Sequence, residues 1–387
     1  MIRSKFFIPL RSKFFIPLRR VLKWIGLIFI SLLLVILILL VLWVINSPGK
    51  PDPITDSSGK ELPNSISVIE TVNIGGIDQH LIIRGRDISK PVILFVHGGP
   101  GGPEFAMMKA TNQLIENDFV MVYWEQRGAG KSYDPAIPVA TMNLEQFISD
   151  TGELSKYLIK KFNKEKIYLM GHSWGTMLGI LTAERYPELF HAYFGVGQIG
   201  DQYEGERVSF EWVKERARLS SDKNAIEELN HLKFPDKHEA QIDLNTFNSE
   251  WDAYIGIERQ YVMKYGGGAM KDMKSILPLI KMIFLAKEYT VKDKINYLRG
   301  SDFSNKYLWK EVIETNLFNE IDEIKIPVYI LQGLYDYQTP YSVAKKFYDQ
   351  LNASEKQFYT FENSAHSPNF EEVEKFNEIV RKLAREN

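Results

Sequence analysis

The stretch IYLMGHSWGTMLGILTA, residues 167–183, decides the fold of this chain. An apolar run of strand type leads into the pentapeptide GHSWG, and a stretch rich in small residues that is typical of a helix follows. Such a succession predicts a strand, a sharp turn and a helix, with Ser173 at the turn. The turn strains the serine backbone, and the flanking glycines avoid clashes that a Cβ would make. We therefore predict an α/β sheet in which Ser173 is a nucleophile.

A serine hydroxyl becomes reactive only when an oriented base removes its proton. Asp336 follows the strand-like run 327–333, and His366 follows the run 356–361. Catalytic groups in open α/β sheets lie just beyond the carboxyl ends of strands. The order serine, acid, histidine is the one expected for this type of turn, and His366 is the one of seven histidines that satisfies it. We predict Asp336 as the acid; Asp322 is a rival, although it precedes its strand.

A third component would stabilise the charge that develops on the substrate oxygen. The apolar run 92–96 ends in HGGPGGP, residues 97–103. Glycines there allow backbone N–H groups to approach a ligand closely. We assign this oxyanion role to the amides of Gly99 and Trp174; a flexible glycine loop without such a role is the alternative.

Four motifs together resemble the signature series of prolyl iminopeptidases: HGGPG (97–101), EQRGAGKS (125–132), GHSWG (171–175) and GLYD (333–336), followed by His366. The resemblance extends from Ile66 to the C-terminus. It implies an α/β-hydrolase fold with a mostly parallel sheet and an inserted helical cap, and the release of an N-terminal residue, often proline, from small peptides. Glu125 replaces the usual aspartate of the second motif, and the cap lacks a tryptophan-rich acidic motif. An esterase or lactonase, or a non-catalytic membrane-tethered binding protein, are the alternatives.

The pattern of the chain divides it into a core, residues 65–200 and 319–387, and a helical cap, residues 201–318. Strand-like runs disappear in the cap range and charged helical segments replace them. An unrelated helical subdomain is the alternative. The family resemblance implies that acidic cap residues bind the free amino group of a substrate, and Glu204 and Glu206 are our candidates. They could equally be solvated surface charges.

The amino-terminal part of the chain predicts a membrane anchor. Residues 24–45 are almost entirely apolar and long enough to cross a hydrocarbon core, with tryptophans near both ends. A cleaved signal peptide has a shorter apolar core and a small-residue cleavage site. Residues 1–23 carry seven Lys and Arg and no acidic residue, so the positive-inside rule predicts a cytoplasmic tail. Residues 46–64 are predicted as a linker, and the catalytic domain is predicted outside the cytoplasm.

Composition excludes several other classes of function. The formal net charge is −2, and about −9 once the basic tail is set aside, which gives no case for nucleic-acid binding. The segment GAGKS, residues 128–132, lacks the first glycine of a phosphate loop, because Glu125 occupies that position. No zinc-binding signature is found, so we expect no nucleotide, metal or other cofactor. The chain has no cysteine, which excludes lipoprotein attachment.

Overall fold

The structure is a computed structural model that describes residues 18–236 and 242–386. Residues 1–17 of the predicted cytoplasmic tail lie outside the described residues. Side chains are described from residue 20 onward.

Eight strands form one sheet. Their bounds are β1 Ile66–Ile74, β2 Ile77–Gly85, β3 Val92–Val96, β4 Val120–Glu125, β5 Ile167–His172, β6 Phe190–Val196, β7 Val328–Gly333 and β8 Lys356–Phe361.

The sheet has the strand order β1-β2-β4-β3-β5-β6-β7-β8. Strand β2 is antiparallel to both of its neighbours, and all pairings from β4 to β8 are parallel. Alternate residues of β3 enter two different cores: Val92, Leu94 and Val96 on one face, Ile93 and Phe95 on the other. A strand that is apolar throughout is therefore buried on both faces, as expected for a parallel sheet covered by helices. The predicted α/β-hydrolase architecture is confirmed.

Thirteen α-helices lie within the described residues. They are α1 Leu18–Ile45, α2 Phe105–Thr111, α3 Leu144–Phe162, α4 Trp174–Arg185, α5 Gln202–Leu219, α6 Lys223–His231, α7 Leu244–Tyr265, α8 Leu277–Leu285, α9 Val291–Glu314, α10 Leu317–Glu320, α11 Tyr341–Gln350, α12 Pro368–Glu371 and α13 Val373–Glu386.

The helices α5 to α10 form an insertion between β6 and β7, and the described part of this insertion contains no strand. Its two ends meet at the sheet, since the Leu317 amide donates to the Gly200 carbonyl at 2.9 Å. The Asn316 side chain also donates to Asp201 at 2.8 Å. Such adjacent ends allow a helical unit to be inserted without interrupting the parallel sheet. The helices of the insertion run from Gln202 to Glu320, and the cap was predicted over residues 201–318.

Helix α1 begins at Leu18, six residues before the predicted start of the apolar segment at Trp24. Its charged first turns continue the helix because Arg and Lys are good helix formers. The span Arg20–Ile45 has a mean hydropathy of 3.5 and no buried residue, so by length and composition it could cross a membrane. A signal sequence near the N-terminus satisfies the same criterion.

The predicted linker, residues 46–64, is held against the rest of the protein. The Lys294 ammonium donates to the Ser47 hydroxyl at 2.6 Å. The Gly49 amide donates to the Lys287 carbonyl at 2.9 Å, and Arg84 donates to the Asp52 carbonyl at 2.9 Å. This segment, although rich in Pro, Gly and Ser, is packed on the domain because its polar groups form hydrogen bonds with residues of the domain.

Candidate active site

Ser173 occupies the sharp turn between β5 and α4. Its φ of 55° and ψ of −123° are rare for a residue with a side chain, and such strain costs on the order of 1–3 kcal/mol. The Ser173 amide donates to the Val196 carbonyl at 3.0 Å. A Cβ at Gly171 would lie 2.2 Å from the Gly175 carbonyl oxygen, and one at Gly175 would lie 2.0 Å from the Val96 carbonyl oxygen. The glycines thus let strand and helix pack closely enough to hold the turn.

Asp336 and His366 lie in the loops that follow β7 and β8, and their side chains meet. The His366 Nδ1 atom is 2.9 Å from the Asp336 Oδ2 atom. Asp336 is fully buried and also accepts from the Gln332 amide, the Thr339 hydroxyl and two backbone amides, at 2.7 to 2.9 Å. The carboxylate is therefore fixed as an acceptor for the imidazole. The rival Asp322 is exposed and lies before β7, at the opposite end of that strand from Asp336.

Two contacts bring His366 beside the turn that carries Ser173. A Cβ at Gly197 would lie 3.0 Å from the His366 Cε1 atom, and Gly197 directly follows Val196, which accepts the Ser173 amide. The His366 ring also packs on His172, the residue before the serine, with ring centroids 4.8 Å apart. The carboxyl ends of β5, β6, β7 and β8 thus gather the three predicted residues at one edge of the sheet.

The glycine loop after β3 reaches the same place. A Cβ at Gly98 would lie 2.9 Å from the Ser173 Cβ, so the loop backbone approaches the serine as closely as glycine allows. Gly99 has a φ of 118°, and a Cβ there would lie 2.5 Å from the Gly101 amide nitrogen. Gly99, Ser173 and Trp174 line one cavity. Trp174 is the first residue of α4, where backbone N–H groups have no partner within the helix.

Sequence reasoning missed Glu104, which ties this loop to the serine turn. Its Oε1 atom accepts from the Gly98 amide at 2.7 Å and lies 2.8 Å from the Nδ1 atom of His172. Burial opposes charge on both partners, but their mutual attraction outweighs it. The pKa of Glu104 is consequently lowered and that of His172 is raised. No local sequence pattern predicts this contact, because it joins residues 68 positions apart.

The EQRG segment supports the same loop from its other side. The Gln126 side chain donates to the His97 carbonyl at 2.9 Å and accepts from the Trp174 indole at 3.0 Å. One residue further on, Arg127 forms a fully buried ion pair with Asp150 at 2.9 Å. This family motif thereby connects the loop after β3 with the residue that follows Ser173.

The two glutamates predicted to bind the substrate lie in different environments. Glu204 pairs with Arg207 at 2.7 Å, its side chain is 38% exposed, and it does not line the cavity. Arg207 lowers the pKa of Glu204. Glu206 is fully buried, accepts from Gln202 at 2.7 Å and forms an ion pair with Arg259. Glu206 therefore lies directly behind the cavity, because Gln202 and Arg259 both line it.

A second buried glutamate shares the same guanidinium. Glu258 pairs with Arg259 at 2.5 Å, and burial raises the pKa of Glu258 to about 7. Asp252, on the same helix, lines the cavity directly, and burial, assisted by Asp302, raises its pKa. Sequence reasoning missed both residues. On α7, Glu258 directly precedes Arg259, and Asp252 lies seven residues before it.

The cavity has a volume of about 580 Å³, which falls in the range of sites for small ligands. One end is formed by the serine turn and the glycine loop, and another part of its wall by charged groups of α7. The remaining wall is largely apolar and comes from the insertion, namely Ile255, Met263, Met273, Ile276, Leu279, Trp309 and Val312.

Comparison with known proteins agrees with this fold. Residues 91–231 match the family model of the alpha/beta hydrolase fold. The probable aminopeptidase YbaC of Bacillus subtilis (strain 168) is 32% identical over 325 residues, which are 83% of this chain and 97% of that protein. A proline iminopeptidase of Clostridium botulinum is 25% identical over 302 residues, 77% of this chain and 90% of that protein.

The fold has solved counterparts as well. The crystal structure of a proline iminopeptidase from Mycobacterium smegmatis matches 82% of this chain and 98% of its own, with a TM-score of 0.57 and 14% identity. At that identity the likeness is one of fold. The fold and the matched relatives define the protein as an enzyme of the α/β-hydrolase class. Within that class the chain belongs to the prolyl iminopeptidase-like family, as its motifs predicted.

Proposed function

We propose that this protein is a membrane-anchored serine aminopeptidase that acts outside the cytoplasm and releases N-terminal residues from small peptides. The contact between His366 and Asp336, 2.9 Å long and beside the strained turn of Ser173, carries the proposal. It supplies the histidine and acid pair that a serine nucleophile needs for acyl transfer. The names of the relatives, aminopeptidase and proline iminopeptidase, support peptides as the substrate class.

In the proposed reaction the Ser173 hydroxyl attacks the carbonyl carbon of the first peptide bond. His366 accepts the hydroxyl proton and then donates it to the leaving amine, while Asp336 orients the imidazole. The amides of Gly99 and Trp174 donate to the oxyanion as the tetrahedral intermediate forms. Water then attacks the acyl-enzyme with His366 as the base again, which releases the amino acid and restores the serine.

Recognition of the free amino group is assigned to the charges of the insertion. Glu206 and Glu258 face a single guanidinium, that of Arg259, and Asp252 lines the cavity with no ion pair among the contacts of the described residues. This wall therefore carries excess negative charge. A cationic amino group loses several kcal/mol of hydration in such a cavity unless negative charge faces it. Glu206 is the proposed principal determinant, and Glu204, paired with Arg207 outside the cavity, is assigned no such role.

A matched pair of variants tests this assignment. Glu206→Gln should lower kcat/KM for alanine- and proline-arylamides by about tenfold or more, because an uncompensated buried charge interaction is worth roughly 1.5–3 kcal/mol. The same variant should change hydrolysis of an uncharged short-chain aryl ester much less. Glu204→Gln, on the same helix, should change neither. Equal losses on amide and ester with Glu206→Gln would remove this glutamate from amine recognition.

One observation favours a second candidate function, an esterase or lactonase. Arg259 lines the cavity itself, whereas its partners Glu206 and Glu258 do not, and most of the remaining wall is apolar. A guanidinium would suit a substrate carrying a carboxylate or another acceptor rather than an ammonium. A turnover panel of proline-, alanine- and leucine-arylamides beside short-chain aryl esters distinguishes the two. Preference for N-acylated substrates or simple esters would refute the aminopeptidase and support the esterase.

The membrane anchor is proposed from α1 and the charges that precede it. Its span Arg20–Ile45 is apolar, unburied and long enough to cross a bilayer. The basic residues before it would remain in the cytoplasm, which leaves the enzyme on the opposite side.

A further inference from the structure

The insertion exposes an apolar surface that its own fold does not cover. Outside α1, five of the exposed large hydrophobic residues within the described part of the chain fall between residues 276 and 298. We call this set the apolar rim: Ile276, Leu277, Leu285, Ile295 and Leu298, each 41 to 67% exposed. Such a concentration of exposed apolar side chains in so short a stretch of the chain marks an interaction surface.

The apolar rim lies at the end of α1 where a spanning helix would leave the membrane. The Trp43 ring stacks on Phe284 of α8, with centroids 5.8 Å apart and planes inclined by 14°. Directly after α1, Ser47 accepts from Lys294 of α9 and the Gly49 amide donates to the carbonyl of Lys287. Tryptophan favours the interface between hydrocarbon and water, so these contacts hold α8 at the height of that interface.

The charges around α8 suit the headgroups of anionic lipids. Residues 273–287 include three lysines, Lys274, Lys281 and Lys287, all exposed, and no acidic residue. Lys292 and Arg299 are exposed on the first turns of α9. A short apolar helix with basic residues on its borders is typical of segments that lie in a membrane interface.

A cavity under the apolar rim leads toward Ser173. It has a volume of about 500 Å³ and lies between α8 and α9, lined by Leu279, Ile283, Phe284 and Tyr297 among others. It shares four lining residues with the cavity that contains Ser173, namely Ile276, Leu279, Ser301 and Asn305. The two cavities therefore adjoin. Ile276 and Leu298, which belong to the apolar rim, also line this second cavity, so the apolar path begins at the exposed surface.

We propose that α8 and the first turns of α9 rest in the interface of the bilayer that α1 crosses, and that substrates with an aliphatic chain enter from that bilayer through the α8–α9 cavity. The proposal rests on the proposed function, since it takes Ser173 as the nucleophile and α1 as the anchor. It adds the substrate class: peptides or esters that carry an apolar chain dissolved in the membrane. Contact with lipid would remove the apolar surface of the rim from water, which stabilises the contact by about 25 cal/mol per Å² of apolar area.

Labelling of the full-length protein in vesicles tests the membrane contact. The chain contains no cysteine, so a single Leu277→Cys or Leu285→Cys substitution gives a unique site for a fluorophore. Leu219→Cys is the control, because Leu219 is as exposed as Leu277 but lies on α5, outside the apolar rim. Leu34→Cys, in the middle of α1, reports on the anchor itself. The vesicles contain phosphatidylcholine and phosphatidylglycerol, with or without lipids that carry a nitroxide on the acyl chain.

We expect the nitroxide lipids to quench labels at 277 and 285 at least twofold more than the label at 219. Quenching at 34 without quenching at 277 or 285 would overturn the proposal and leave the anchor intact. Unquenched labels, together with disulfide-linked dimers of the unlabelled Leu277→Cys chain, would assign the apolar rim to a second copy of the protein and would overturn the proposal as well. None of these readings depends on catalysis, so failure of the aminopeptidase assignment is detected separately.

A variant of the apolar rim tests the entry of substrate. Leu277 and Leu285 line neither cavity, so the double variant Leu277→Glu, Leu285→Glu leaves the reacting groups unchanged. It should lower turnover of a dodecanoyl aryl ester dispersed in vesicles by about tenfold, since two charges oppose burial of the rim in lipid. Turnover of a water-soluble acetyl aryl ester should stay within twofold. An equal effect on both esters would refute entry from the bilayer.

Discussion

Replacement of Glu104 by glutamine should weaken both the fold and the reaction, each in a way that the structure specifies. The Glu104 carboxylate holds Gly98 at 2.7 Å and His172 at 2.8 Å. Glutamine keeps an oxygen for the Gly98 amide but loses the negative charge that faces His172. A hydrogen bond to a charged group is worth about 1.5–3 kcal/mol, so we expect a loss of about 2 kcal/mol of unfolding free energy. For a domain of this size that is a fall in Tm of about 3 °C.

The loss should depend on pH with a definite sign. Because the folded pKa of His172 is raised above its ordinary 6.5, the histidine contributes its share of stability below pH 6.5 and loses it as pH rises through the raised pKa. Because the folded pKa of Glu104 is lowered below 4.5, the glutamate contributes above pH 4.5 and loses its share as pH falls through the lowered pKa. The difference in Tm between wild type and Glu104→Gln should therefore be greatest between pH 4.5 and 6.5, and smaller at pH 9.

The effect on catalysis should appear in kcat rather than in KM. Glu104 holds the Gly98 amide and so positions the neighbouring Gly99 amide, whose proposed partner is charged only as the tetrahedral intermediate forms. We expect kcat for an arylamide to fall by about tenfold at pH 7, with KM within twofold.

A matched control separates this effect from general destabilisation. Glu116 is another buried glutamate in an ion pair, at 3.0 Å from Arg84, away from the Ser173 cavity. Glu116→Gln should lower Tm and leave kcat within twofold. If Glu104→Gln reduces kcat no more than Glu116→Gln does, or if its Tm deficit is the same at pH 5.5 and pH 9, the reasoning about this pair is wrong.

Three further predictions concern the serine turn and the anchor. Ser173→Ala should lower kcat by several orders of magnitude, about 10⁶ in the comparable subtilisin variant, without a change in circular dichroism; retention of more than a few per cent of the rate would exclude the serine as nucleophile. Gly175→Ala should destabilise the protein by about 1–3 kcal/mol or more, since its Cβ would lie 2.0 Å from a carbonyl of β3, whereas Gly256→Ala in α7 meets no neighbour and should be neutral or stabilising in thermal unfolding. Protease added to intact protoplasts should degrade the enzyme domain; protection until lysis would reverse the topology, and release into the medium would indicate cleavage after α1.

The strands and the order of the site residues could be predicted because they depend on local patterns. The run 92–96 and the run 356–361 coincide with β3 and β8, since apolar segments of that length bounded by turn residues have few alternatives. Glu104 could not be found in this way. Its role depends on the packing of the loop after β3 against His172, which no spacing in the sequence encodes.

The glutamates of α5 show a second limit of sequence reasoning. Residues two apart on a helix point to different faces, so Glu204 and Glu206 could never share one environment once this segment is helical. The sequence did not fix which face of α5 turns toward the cavity, so it could not tell which of the two glutamates is buried. It also could not show that Glu258, more than 50 residues later, pairs with the same arginine as Glu206, namely Arg259.

The sheet and the insertion contribute different parts of the candidate site. The sheet supplies the serine turn, the acid and histidine loops and the glycine loop, all held by backbone packing that leaves little room for variation. The insertion supplies the charged and apolar walls of the cavity and connects them, through Phe284 and Lys294, to the end of α1. Under the proposed function, substrate choice depends on α7, α8 and α9, and a change in the position of the proposed anchor would reach the cavity through the same helices. In the proposed enzyme, substrate recognition and membrane contact thus meet in the insertion, while the proposed catalytic groups lie on the sheet.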